Sequence, residues 1–162
     1  MSDDANPYPG ALASPSELLQ LATEYHQAAK FLVTRGCRGR PTSRAPYRLV
    51  AIHAVELYLN AFLLHAGFEH GRLRSLHHDL AARADLSLQF GLQLRKRTAT
   101  HLSTMVAARE YLVSRYGPEL ASSLSQINRL SATLDEVAGK VVPIVSSGQV
   151  RLRPGMAVGV TV

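Results

Sequence analysis

Apolar residues recur along most of this chain at spacings of three and four, the signature of helices that each bury one face. In "SPSELLQLATEYHQAAKFLV", Leu18, Ala22, Tyr25, Ala29 and Leu32 mark such a face. Ser14 is placed to cap this helix, Pro15 to open it, and Glu17 to close a capping box. Gly36 stops it, and "GCRGRPTSRAP" reads as a loop from its Gly, Pro and Ser content. A second helix is expected from about Pro46 to Ala66, ended by Gly67. It is apolar on most sides, which suits the central helix of a bundle. A third, shorter helix starts from an Asp79 cap and ends before Gly91. The fourth, "ATHLSTMVAAREYLVSRYG", carries Leu102, Met105, Val106, Leu112, Val113 and Tyr116 on one face, with Arg109 inside it. The fifth begins at Pro118 and carries Leu120, Leu124, Ile127, Leu134 and Val137.

From Val141 onward the pattern changes. The segment has many valines, no acidic residue, and a Pro154-Gly155 turn signal between "QVRLR" and "AVGVTV", so it reads as a hairpin or a docking arm. The expected organisation is an extension over 1–13, a helical bundle over 14–140 and a tail over 141–162. The expected fold class is all-α: an antiparallel up-and-down four- to five-helix bundle with a short irregular or hairpin C-terminal tail.

Composition narrows this little further. At 162 residues and 46% hydrophobic, the chain is long enough for one self-sufficient core. A single cysteine, Cys37, excludes an internal disulfide and fits a reducing compartment. "MSDDANPYPG" is not a secretory signal, and His53, Glu56 and Asn60 break the longest apolar run, so no membrane span is expected. A cytoplasmic location follows by elimination.

Charge changes the picture more. The net charge is +6, and from Tyr25 to Val55 there is no acidic residue. Lys30, Arg35, Arg38, Arg40, Arg44 and Arg48 fall in that window and carry the whole excess. A local field of this sign favours a polyanion, so Arg35, Arg38, Arg40, Arg44 and Arg48 are the candidate phosphate-binding residues. A solvated basic loop in an arginine-rich chain is the competing reading.

The chemistry of the second helix is unusual for so apolar a segment. At about 100° per residue, His53, Glu56 and Asn60 share a roughly 60° arc. A carboxylate inside a bundle needs a partner. Arg109, on the apolar face of the fourth helix, is the expected one, which makes His53, Glu56, Asn60 and Arg109 a buried polar layer. No metal or other cofactor is expected: the chain has a single His-x-x-Glu, in the reverse of the di-iron order, and no zinc spacing.

Two segments place arginine near histidine. "RLRSLHHDL" offers Arg72 with His77 or His78 before the Asp79 cap, and "RKRTATH" offers Arg95 with His101. Arginine to hold a phosphate and histidine to move a proton are what metal-independent RNA cleavage requires. The Gly-rich phosphate loop, nucleophile elbow and dinucleotide fingerprint are all missing from the sequence.

Together, "AIHAVELYLNAFLLHAGF", "LHHDL" and "AREYLVSRYG" resemble the signatures of the HEPN superfamily over roughly residues 14–140. The resemblance implies an antiparallel bundle, commonly a homodimer, found in bacterial defence, stress and toxin–antitoxin systems, with a protein partner encoded nearby. Some members are ribonucleases using an Arg followed within a few residues by His. In this chain that implies Arg95 with His101, or Arg72 with His78, as catalytic residues. At Arg95 the polar Asn or Asp that commonly follows is replaced by Lys96, and His78 falls on the His-Asp-Leu step, which the family uses mainly for structure. The leading expectation is a module binding RNA or a nucleotide through its basic groove. The alternatives are a dimeric metal-independent endoribonuclease and a non-catalytic assembly module.

Overall fold

The computed structural model describes residues 6–148, and no strand occurs among them. Seven α-helices follow in order: α1 Pro15–Val33, α2 Ala45–His65, α3 His70–Ser75, α4 Leu80–Gln89, α5 Lys96–Ala107, α6 Glu110–Tyr116 and α7 Ile127–Ser146. Short 3-10 turns at Pro41–Arg44 and Pro118–Ser123 precede α2 and α7. The expected all-α class holds. The proposed hairpin over "QVRLR" and "AVGVTV" lies outside the described residues.

Local signals account for the first helices. Ser14 Oγ accepts the Glu17 N–H at 3.1 Å while Glu17 Oε2 accepts the Ser14 N–H at 2.8 Å, so the capping box forms. Asp79 Oδ1 accepts the Ala82 N–H at 2.9 Å and starts α4. Gly67, at φ +90, ends α2 in the left-handed region that glycine enters without strain. Helix α2 is buried on nearly every side, packing most extensively against α1 and α7 and also against α4 and α6. With its preceding turn, it is the one stretch among the described residues long and apolar enough to cross a bilayer. Most of it is covered by the protein's own helices.

Later in the chain, tertiary structure overrides pattern. The expected fourth helix is broken in two at Arg109, whose φ of 52 lies in the left-handed region. His101 and Glu110 are nine residues apart, which on one straight helix sets them on opposite faces. The break lets both point inward: both are buried, as are Leu102 and Met105. Leu112 and Tyr116, expected in the core, are exposed instead. The fifth helix does not begin at Pro118. A 3-10 turn occupies Pro118–Ser123, and α7 starts at Ile127. It then runs past the expected boundary at 140 as far as Ser146, burying Val141 and Val145. The short helix α3 was not expected, since six residues give periodicity little to act on.

Candidate functional site

Two arginine-centred polar layers cross the core, both anchored on α2. In the first, Glu56 Oε1 lies 3.5 Å from Arg83 of α4, and Glu56 Oε2 accepts from His78 Nδ1 at 3.2 Å. Arg83 Nε donates to Asn60 Oδ1 at 2.7 Å, and its remaining nitrogens reach the carbonyls of Leu73, Leu76 and Asp79. The expected partner of Glu56 is therefore corrected: it is Arg83, not Arg109. Arg109 sits exposed at the break between α5 and α6. Arg83 was readable in principle, since it shares a helix face with Leu80, Ala84 and Ser87, all buried. His53, half-buried beside this layer, meets the Tyr25 ring edge-on at 4.6 Å, and burial holds its imidazole below the ordinary range.

The second layer joins α2 to α6. Arg48, only 7% exposed, directs one terminal nitrogen to Glu110 Oε2 at 3.4 Å and the other to the Ser125 carbonyl at 2.6 Å. Glu110, 1% exposed, accepts the Ser125 N–H at 2.8 Å with its other oxygen. Arg48 Nε and Ser125 Oγ, both buried, have no hydrogen-bond partner. Burial lowers the Arg48 guanidinium from its ordinary value while Glu110 opposes that shift, and a guanidinium starting so high stays a cation.

Arg48 and Ser125 of this second layer also line a cleft of about 590 Å³. Arg38, Arg44 and Arg48 line it from one side, and Ser125, Gln126 and Asn128, at the start of α7, from the other. The loop bearing Arg38 is ordered by Ser43, whose Oγ accepts the Cys37 N–H at 2.7 Å and donates to the Arg40 carbonyl at 2.6 Å. Gly36 makes room for Arg44: a Cβ there would stand 3.0 Å from the guanidinium. Of the five arginines expected to hold phosphate, three therefore meet in one place. Arg35 instead lies over the Phe31 ring at 5.8 Å, and Arg40 is exposed before the 3-10 turn, outside the cleft lining.

The two candidate Arg–His pairs fare differently. His101 is 6% exposed, with Nδ1 bonded to Thr133 Oγ1 at 2.8 Å and Nε2 buried without a partner. Burial lowers its pKa, and nearby Arg129 and Arg48 add to the shift against the opposing pull of Glu110. Arg95, by contrast, is exposed at the start of α5, where its N–H donates to Glu136 Oε1 at 2.6 Å. One member of this pair faces solvent and the other faces the core. His78 is half-exposed, held by Glu56 and stacked on Tyr111 with 3.9 Å between ring centroids. It borders a smaller cavity of about 210 Å³ together with Met105, Arg109 and Leu112. Arg72 lies over the Phe68 ring at 4.8 Å. No group of three His, Cys, Asp or Glu side chains suited to a metal ion comes together among the described residues. Comparison of the chain with protein-family models, with curated proteins and with solved structures gives no match.

Proposed function

We propose that this chain is a HEPN-like helical module that binds RNA or a nucleotide through the cleft between its arginine loop and the start of α7. The observation that carries this reading is the convergence of Arg38, Arg44 and Arg48 on one concave surface. The cleft's volume of about 590 Å³ is within the range usual for small-ligand sites, and Arg38 and Arg44 add positive charge from an acid-free Tyr25–Val55 window, whereas Arg48 is paired with Glu110. Binding is favoured over cleavage because His101, the better-placed catalytic candidate by sequence, lies buried on Thr133.

The test is fluorescence anisotropy of a labelled single-stranded RNA over a range of salt concentrations. Two phosphate contacts, at Arg38 and Arg44, predict a log–log slope near −1.4, and a third, at Arg48, a slope near −2, at roughly 0.7 per contact for single strands. No binding at low salt, or binding indifferent to salt, would overturn the proposal. The assembly reading keeps one observation in its favour: Leu112, Tyr116 and Leu120 are exposed apolar residues on α6 and the 3-10 turn after it. A homodimer formed there would appear as twice the monomer mass in sedimentation equilibrium.

A further inference from the structure

Arginines on a surface attract any phosphate chain, but this cleft has a feature that a passing backbone does not need. Arg48 is recessed: more than nine-tenths buried, held from behind by Glu110, and with a buried Nε that no protein atom satisfies. Ser125 Oγ, on the cleft lining, is buried and unsatisfied in the same way. Beside them α7 begins, a helix of 20 residues. Its N-cap, Gln126, makes no side-chain cap, and its first turn holds no acidic residue. The Arg129 and Leu130 N–H groups bond to the Gln126 carbonyl, which leaves those of Ile127 and Asn128 with no acceptor inside the helix. A helix start with open N–H groups and a positive dipole end is suited to an anion.

We infer that the start of α7 and Arg48 together form a seat for a terminal phosphate, the phosphomonoester of a nucleotide or of an oligonucleotide end. This deepens the RNA- or nucleotide-binding reading and rests on it. A phosphodiester chain lying along the surface meets Arg38 and Arg44. The deeper burial of Arg48 favours a terminal group over a mid-chain one, and a monoester presents three terminal oxygens and up to two negative charges for a guanidinium and two N–H groups to share. Glu110 is the positioning residue, since it and the Ser125 carbonyl hold the guanidinium that lines the cleft.

The experiment compares one short RNA, labelled at its 3′ end, carrying either a 5′-phosphate or a 5′-hydroxyl. It uses the full chain at fixed salt, with AMP as a competitor. The expected result is about tenfold tighter binding of the phosphorylated form, the scale of a few charge-assisted hydrogen bonds. Asn128→Asp, which sets a carboxylate in the first turn of α7 where a helix tolerates it, should bring that ratio close to one. Gln93→Glu makes the same amide-to-acid change in the loop before α5 and should leave the ratio intact. Competition by AMP at affinity close to that of the RNA identifies a free nucleotide as the source, and weak competition identifies a chain end. Equal binding of the two RNAs overturns the terminal-phosphate seat while leaving the polyanion reading in place. No binding of either RNA at low salt overturns both.

Discussion

Arg83 and Arg48 both cross the core, both face a glutamate and are both more than nine-tenths buried, yet their surroundings differ. Every nitrogen of Arg83 has an acceptor: Asn60, Glu56 or one of three carbonyls. Arg48 has two acceptors, a spare Nε, and a cleft at its side. A saturated guanidinium has nothing left to offer a ligand, so the Arg83 layer is best understood as the lock between α2 and α4. An unsaturated one carries the cost of a buried donor without its bond. The contrast separates a layer whose guanidinium is fully used within the fold from one that borders the proposed binding cleft.

The sharpest way to break this contrast is Glu56→Ala, which leaves Arg83 as a buried cation without its carboxylate. It should reduce unfolding free energy by about 3–5 kcal/mol in urea titration. RNA affinity measured below the new transition should change by less than about twofold. Unchanged stability would remove the Arg83 layer from its structural role. Arg38→Ala combined with Arg44→Ala should act in the opposite sense. The salt slope of RNA binding should shrink by about 1.4, at roughly 0.7 per contact, while stability changes by less than about 1 kcal/mol. A preserved slope would place the bound RNA elsewhere on the molecule.

A pH series sharpens the comparison less dramatically. Burial holds the folded His101 and His53 imidazoles below their ordinary range near 6.5, so in that window the unfolded chain binds protons that the folded chain does not. Their contribution is complete above about pH 6.5 and is lost as pH falls through that value toward the lower folded pKa. Unfolding should therefore need less urea at pH 5.5 than at pH 7.5, and His53→Gln with His101→Gln should narrow the gap. The smallest effect is expected for Arg109→Gly. It relieves a left-handed residue at an exposed helix break and should add no more than about 1 kcal/mol.

What the sequence made legible was what neighbouring residues decide among themselves. The Ser14–Glu17 capping box, the Asp79 cap and the Gly67 stop involve partners within three or four positions, and all appear in the fold. The break at Arg109 was hidden because its cause is distant: Glu110 must reach Arg48, 62 positions earlier. The partner of Glu56 was misassigned for a related reason. Arg83 and Arg109 both lie among apolar positions, and only the packing of α4 on α2 separates them. The candidate cleft was half legible. The arginines stand out as charge, but which three converge depends on the start of α7, about 80 residues along the chain from the loop.

Glu136 has a consequence for the order in which the molecule assembles. Burial raises its carboxyl, but the Arg95 N–H and the Thr98 hydroxyl bonded to it, together with the charges of Arg95 and Lys140, outweigh that and hold it below the usual carboxylate range. Arg95, the N-cap of α5, offers no side-chain cap of its own, so the helix borrows its cap from α7, 41 residues downstream. On a ribosome, where the chain emerges from its N-terminus, the first turn of α5 is completed only after Glu136 has been made. The cap of the helix that carries His101 is thus a long-range contact, made only once α7 is in place.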